Sequence, residues 1–291
     1  RRRGGPRPFG ARRRVGRGVT PRLGRGTRPG VTVARQREPE GPPPAPVVQK
    51  VRLRYAKRGR LRFSSTRDFQ RALERALRRA EVPIAFSAGF HPHPRISYAN
   101  AASTGTASEA EYVELALTRR VEPTVLAEAL DAALPPGLDI VQAAEAAPGP
   151  LADRLQASDW AIAVRGVQAA ELIAAVEIFR AADRIEVSRM FKTGLRTFDA
   201  RAAVVQLRVD TADSVVVLTE VVPPECAILR MVVRHTTPAV RPDDILTALR
   251  AVAGLEPPTS PLVIRLAQGP LQDDNATVAD PLAPIESVAG A

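Results

Sequence analysis

Between Val51 and Gln268 the chain alternates strand-period and helix-period segments in the order β-α-β-β-α-β, and it does so twice. The first pass opens with Val51, Leu53 and Tyr55 alternating with Arg52 and Arg54, the period-two signature of a half-buried strand. Arg58-Gly59 is a turn, and Ser64, Ser65 or Thr66 is placed to cap a helix over 67–82. On that helix Phe69, Leu73, Ala76, Leu77 and Ala80 fall in one apolar stripe about 100° wide, and Pro83 ends it. Strands follow near 96–98 and over 111–118, then a helix over 122–134 and a strand over 138–146. After a break at 147–154 the second pass reads strand 159–166, helix 167–182 and strand 184–190. A hairpin over 202–222 turning at Asp213, a strand over 227–236, a helix over 241–254 and a strand over 261–268 complete it.

Two β-α-β units sharing an antiparallel sheet make a ferredoxin-like fold. The expectation is therefore an α+β protein with two ferredoxin-like β-α-β-β-α-β halves with antiparallel sheets, over 49–147 and 155–270. Residues 271–291 are expected to form a loose C-terminal tail, and residues 1–48 a disordered basic tail with a Pro-rich linker.

Charge separates this tail from the rest. The net charge is +11, yet residues 1–50 hold 14 basic and 2 acidic side chains, leaving 28 basic and 29 acidic over the remainder. Almost nothing in "RRRGGPRPFGARRRVGRG" is apolar enough to offset the entropy of ordering. Arg-Gly segments bind nucleic-acid phosphates with little sequence preference. Arginine also outnumbers lysine 39 to 3, which a GC-rich genome produces without any selection for binding. The single cysteine, Cys226, excludes an internal disulfide, and no apolar run approaches the roughly 20 residues that span a bilayer. These features point to a reducing cytoplasm and to no membrane partner.

Three stretches carry chemistry. In "FSAGFHPHPRISY" (86–98) two of the three histidines, His91 and His93, alternate with prolines among Phe86, Phe90 and Tyr98. An extended backbone would point both imidazoles one way, as in a zinc pair, but no third or fourth ligand accompanies them. Ser87 and Ser97 are near, without the spacing of a triad. On the helix over 67–82, Arg67, Arg71, Arg75 and Arg78 share a face with Arg79 at its edge. This is either a phosphate ladder or a solvated face braced by Glu74. The third stretch, "MFKTGLRTFDAR" (190–201), groups Lys192, Arg196, Asp199 and Arg201 around Gly194, as an anion site or as a polar hairpin rim. Neither a phosphate-binding loop, a dinucleotide glycine pattern nor an iron–sulfur cysteine cluster is present, so no cofactor is expected.

Together these stretches resemble the bacterial DUF2344 family of radical SAM-linked proteins. Leu61, Arg62 and Phe63 match its Leu-Arg-Phe strand, and Asp68, Arg78, Arg79 and Ala80 match its helix. Ser87, Gly89, Phe90, Pro92, His93 and Pro94 match its loop, and Gly105, Ser108, Glu109, Glu111 and Tyr112 the segment after it. Thr66 stands where the pattern often has His. The resemblance, over roughly 50–270, implies a stand-alone actinobacterial-type member without the radical module. Such members tend to be encoded near a ribonuclease E/G and ribosomal proteins. It implies RNA or a ribonucleoprotein, a radical SAM enzyme, or RNA-processing machinery as partner.

The leading functional reading is a non-catalytic accessory or RNA-binding module in RNA or ribosome metabolism or RNA modification. Its ligand or RNA contacts would be Phe90, His93, Arg95, Lys192, Arg196, Asp199 and Arg201. The second reading is an RNA-processing or RNA-modifying enzyme using His93 with Asp68, Glu109 or Glu111. The third is a protein-only adaptor for a radical SAM enzyme.

Overall fold

The computed structural model describes residues 44–215, 222–223, 225–272 and 276–284. The expected basic tail thus lies, for 1–43, outside the described residues. The architecture is mixed α+β, with four α-helices among the described residues against a mostly antiparallel sheet.

In β1 (Gln49–Lys57) the alternation read from the sequence turns Val51, Leu53 and Tyr55 into the core. The chain then leaves the sheet at Gly59, whose φ of +51° favours a residue without a side chain. Leu61, Arg62 and Phe63, expected as a strand, instead lie in a 3-10 turn, Gly59–Phe63. The reason is local: only two residues separate this turn from the first helix, and the chain must reverse within them. That helix, α1 (Thr66–Arg79), opens with a reciprocal capping box. Ser65 Oγ accepts from the Asp68 amide, and the Asp68 carboxylate accepts from the Ser65 amide. Its buried face is Phe69, Ala72, Leu73, Ala76 and Leu77.

The first half continues through β2 (Ile96–Ala99), β3 (Ala107–Leu117), α2 (Pro123–Ala133) and β4 (Leu138–Glu145). β1 lies between β4 and β3, and β2 pairs with the other side of β3; all three pairings are antiparallel. Leu73, Leu77, Leu126 and Leu130 of the two helices close over Leu53, Val113 and Leu115 of the strands. Burying each such leucine stabilises the fold by about 1.5–3 kcal/mol before entropy is counted.

The second half contains β5 (Ala157–Val164), α3 (Ala169–Ala181), β6 (Glu186–Phe191), β7 (Gly194–Asp199), β8 (Val204–Thr211), β9 (Ala227–Arg234), α4 (Pro242–Ala253) and β10 (Leu262–Gly269). Its strand order is β10-β5-β9-β8, again antiparallel throughout. α4 starts on Pro242 and stops at Gly254, left-handed at φ +68°. The segment 184–190, expected in the main sheet, pairs only with β7, and the two form a separate hairpin. β8 is followed by a 3-10 turn over Ala212–Ser214; the expected return arm at 216–221 lies outside the described residues.

The halves are not separate bodies. Ile264 and Arg265 of β10 pair in parallel with Ala107 and Ser108 of β3, so one eight-stranded sheet runs through both. The connection at 147–156 is built in as well, because Leu151 and Leu155 pack with Ala110 and Tyr112. Leu282 joins the same cluster, and β11 (Leu271–Gln272) pairs with β12 (Thr277–Val278). The described part of 271–291, expected to be loose, is therefore packed at least as far as Leu282. A short apolar side chain every few residues suffices when a sheet face is already waiting to be covered.

Candidate functional site

The motif loop leaves the core at Ala85 and returns at Arg95, tied by Arg95 N donating to Ala85 O at 2.7 Å. Ser87 closes it twice: its amide donates to His93 O at 2.9 Å, and its Oγ accepts from His93 N at 3.0 Å. Pro92 and Pro94 have no N–H to offer, so this one serine fixes the crossing. Gly89 supplies the left-handed backbone at φ +125°. The loop holds Phe90, His91 and His93 outward, with Phe90 64% exposed. Its inner side, with Arg95 and Ser97, walls a groove on the face of the sheet away from α1 and α2.

Strand pairing sets out the floor of that groove. Arg52, Glu114 and Ser97 are paired across β1, β3 and β2, and Lys50 faces Ala116 in the next row. Arg52 Nε donates to Glu114 at 2.9 Å, Lys50 Nζ lies 2.9 Å from the other carboxylate oxygen, and Arg52 Nη2 donates to Gly149 O at 2.5 Å. Burial works to raise the pKa of Glu114, but its bonds from Lys50 and Arg52 outweigh burial and hold it below the usual glutamate range. A cavity of about 610 Å³ beside residues 146–152 and one of about 240 Å³ beside the loop share Lys50, Ser97 and Glu114.

The arginine row on α1 is the second surface. Arg67, Arg71, Arg75 and Arg78 are exposed, and among the described residues none of the four side chains makes a hydrogen bond or ion pair. Glu74, which the sequence offered as their partner, is instead close enough to Tyr98 to act on it. That phenol's pKa is raised first by burial and then by the Glu74 charge. Arg79 reaches across to donate to Ala133 O of α2 at 3.0 Å. At the head of the helix Phe63 is 58% exposed, with the Arg62 guanidinium 4.5 Å above its ring.

The other residues marked by the sequence are held apart from one another. Asp68 caps α1, and its hydrogen bonds from Ser65 lower its pKa. Glu109 is clasped by Arg58, which also reaches Asp139 at 3.0 Å. Glu111 is 1% exposed and accepts from Arg265 Nη1 at 3.0 Å and from Ala102 N at 2.9 Å. His93 has no carboxylate among its described partners. On the hairpin, Lys192 sits in the turn, and Arg196 donates to Thr193 Oγ1 at 2.9 Å. Asp199 and Arg201, expected to share a sheet face, are separated by the end of β7. Asp199 accepts instead from the amides of Ile185 and Arg201, at 3.1 and 2.9 Å. Through their described hydrogen bonds and ion pairs, the hairpin and the motif loop share no neighbour. The hairpin is anchored to α4 by Arg189, which pairs with Asp244 and donates to Ala239 O.

What sequence reasoning missed is a polar seam where the halves join. Arg265 spans from Glu111 to Asn100 O at 2.7 Å, with its guanidinium 4.5 Å over the Trp160 ring. Ser158 Oγ lies 2.7 Å from His235 Nε2, and His235 Nδ1 lies 2.6 Å from Leu155 O. A carbonyl can only accept, so the shorter contact puts the proton on Nδ1 and makes Ser158 the donor to Nε2; the Asn100 amide, 3.1 Å from Nδ1, then presents its oxygen. Burial lowers the His235 pKa, and with Ser158 only 1% exposed the pair serves as a joint between β5 and β9.

The model of the family described as "Uncharacterized protein conserved in bacteria (DUF2344)" matches residues 50–242. The chain belongs to this family. The match takes in the motif loop, the arginine helix and the hairpin, so all three surfaces lie within the DUF2344 region. No curated protein matches the chain significantly.

Proposed function

We propose that this DUF2344 protein is a non-catalytic accessory module that binds single-stranded RNA along α1. The observation that carries the reading is the row of four exposed arginines whose side chains make no hydrogen bond or ion pair among the described residues. An arginine side chain that no carboxylate holds is available to a phosphate. Positions four apart rise about 6 Å along the helix, on the scale of the step between neighbouring phosphates. Phe63, exposed at the head of α1, offers a flat face for an unstacked base. The Arg-rich segment before residue 44 would add charge without sequence preference. We read each half as a ferredoxin-like unit, which the strand orders β4-β1-β3-β2 and β10-β5-β9-β8 support. The reading as an enzyme has less support, because Asp68, Glu109 and Glu111 each keep separate partners and His93 has no carboxylate among its described ones.

Fluorescence anisotropy with a labelled single-stranded RNA tests this. Arg71→Ala with Arg75→Ala should weaken binding at least tenfold and leave the melting temperature unchanged. Equal affinity in the double variant would remove α1 as the surface. A second reading, an adaptor for a protein partner, is favoured by Met190 and Leu195, which face each other across the hairpin at 71% and 64% exposure. Met190→Asp would then abolish capture of a radical SAM enzyme while leaving RNA affinity intact.

A further inference from the structure

We propose that the groove between the motif loop and residues 146–152 is a binding site for a phosphate monoester, distinct from the RNA surface on α1. Lys50, Arg52 and Arg95 line it against one carboxylate, Glu114, a net of two positive charges. A phosphodiester carries one negative charge, whereas a monoester carries close to two at neutral pH. The charge balance therefore selects the terminal phosphate over an internal one.

The groove also holds a cation that the fold does not fully satisfy. Arg52 is 1% exposed, and its Nη1 has no hydrogen-bond partner among the described residues, although Nε and Nη2 are both engaged. A buried donor without a partner costs about 1–3 kcal/mol, more when charged; Nη1 itself is closed off, so what Arg52 offers an anion in the groove is its charge. Ser97 lies in the same cross-strand row, and Arg95 stands at the exposed end, where the His93–Ser87 crossing fixes its backbone. Of the two cavities, which share three residues, the larger, of about 610 Å³, matches the size of small-ligand sites. Base stacking on the sheet, as four-stranded RNA-binding domains achieve it, has no platform here. The aromatic on this face of β3, Tyr112, is sealed beneath Leu151 and Leu155. Recognition rests on the phosphate.

The ligand is either a free small phosphate or the 5′ end of a strand, and calorimetry on the full chain distinguishes them. The probes are 5′-AMP, its phosphate methyl ester, adenosine, and one oligonucleotide with either a 5′-phosphate or a 5′-hydroxyl. The proposal expects 5′-AMP to bind at least tenfold more tightly than the methyl ester, and adenosine to give no heat. Lys50→Ala with Arg95→Ala should cost at least tenfold in 5′-AMP affinity, and Arg95→Ala alone, on the exposed loop, at least threefold without a change in melting temperature. A tenfold preference for the 5′-phosphorylated oligonucleotide assigns the site to strand ends; equal affinity of both oligonucleotides, with 5′-AMP bound, assigns it to a free phosphate. Absence of 5′-AMP binding at millimolar concentration, equal binding of the methyl ester, or unchanged affinity in Arg95→Ala overturns the proposal. Arg71→Ala with Arg75→Ala should leave 5′-AMP binding intact, so the groove and the RNA surface fail independently.

Discussion

Replacing Glu111 with Ala strikes the seam between the halves. Its carboxylate is 1% exposed, and Arg265, at 6%, is sealed beside it under Trp160. Without the carboxylate, the Arg265 cation keeps only Asn100 O among its described acceptors, and the Ala102 amide loses its acceptor. Breaking a buried pair from one side costs about 3–5 kcal/mol, because the surviving charge stays desolvated. In a domain of this size each kcal/mol moves the melting temperature by about 2–4 °C, so the variant should melt about 6–20 °C lower. Urea unfolding should show the loss as a lower midpoint at constant slope. Replacing both partners, Glu111→Leu with Arg265→Met, should recover most of the loss, since neither charge is then stranded. A loss below about 1 kcal/mol for Glu111→Ala would refute a desolvated seam. A stable variant that had lost an RNA-directed activity would point instead to a catalytic carboxylate.

Three further outcomes follow from the same structure. Leu73→Ala, on the buried face of α1, should cost about 2–5 kcal/mol, whereas Arg71→Ala should cost about 0–1 kcal/mol; similar values in chemical denaturation would mean that the arginine face is buried. Glu114 is held below the usual glutamate range, so its contribution is fully present above pH of about 4.3 and drains away as the pH falls further. Glu114→Gln should therefore flatten that part of the acid-unfolding curve, and an unchanged curve would contradict the pairing with Lys50 and Arg52. A chain beginning at Pro44 should melt within a few degrees of the full chain while binding RNA more weakly at low salt; a drop of more than about 10 °C would show that the earlier residues stabilise the fold.

The order of strands and helices was legible because period-two and period-3.6 patterns depend only on neighbours in sequence. Leu73 and Leu77 on α1, and Pro242 at the start of α4, were placed from such patterns alone. The Ser65–Asp68 box was also within reach, since Ser-x-x-Asp before an apolar stripe is a capping signal; reading Asp68 as a catalytic candidate passed over it. The seam and the groove were not legible. Glu111 and Arg265 lie 154 residues apart, and strand periodicity puts Glu111 on the face of Val113 and Leu115 without supplying the partner that makes a carboxylate tolerable there. That the two meet depends on the two-residue parallel contact that joins β3 to β10. The groove likewise needs the register that brings Arg52, Glu114 and Ser97 into one row. The hairpin misled because β6 has strand periodicity, yet pairs outside the main sheet.

The central claim, that α1 presents a phosphate-binding row, is tested most directly by the salt dependence of RNA affinity. Each phosphate contact on a single strand contributes about 0.7 to the slope of log affinity against log salt. Wild type and a variant with Arg67, Arg71, Arg75 and Arg78 all changed to Ala should therefore differ in slope by about 2–3, with affinity lost most strongly at low salt. Equal slopes for the two proteins would contradict the account.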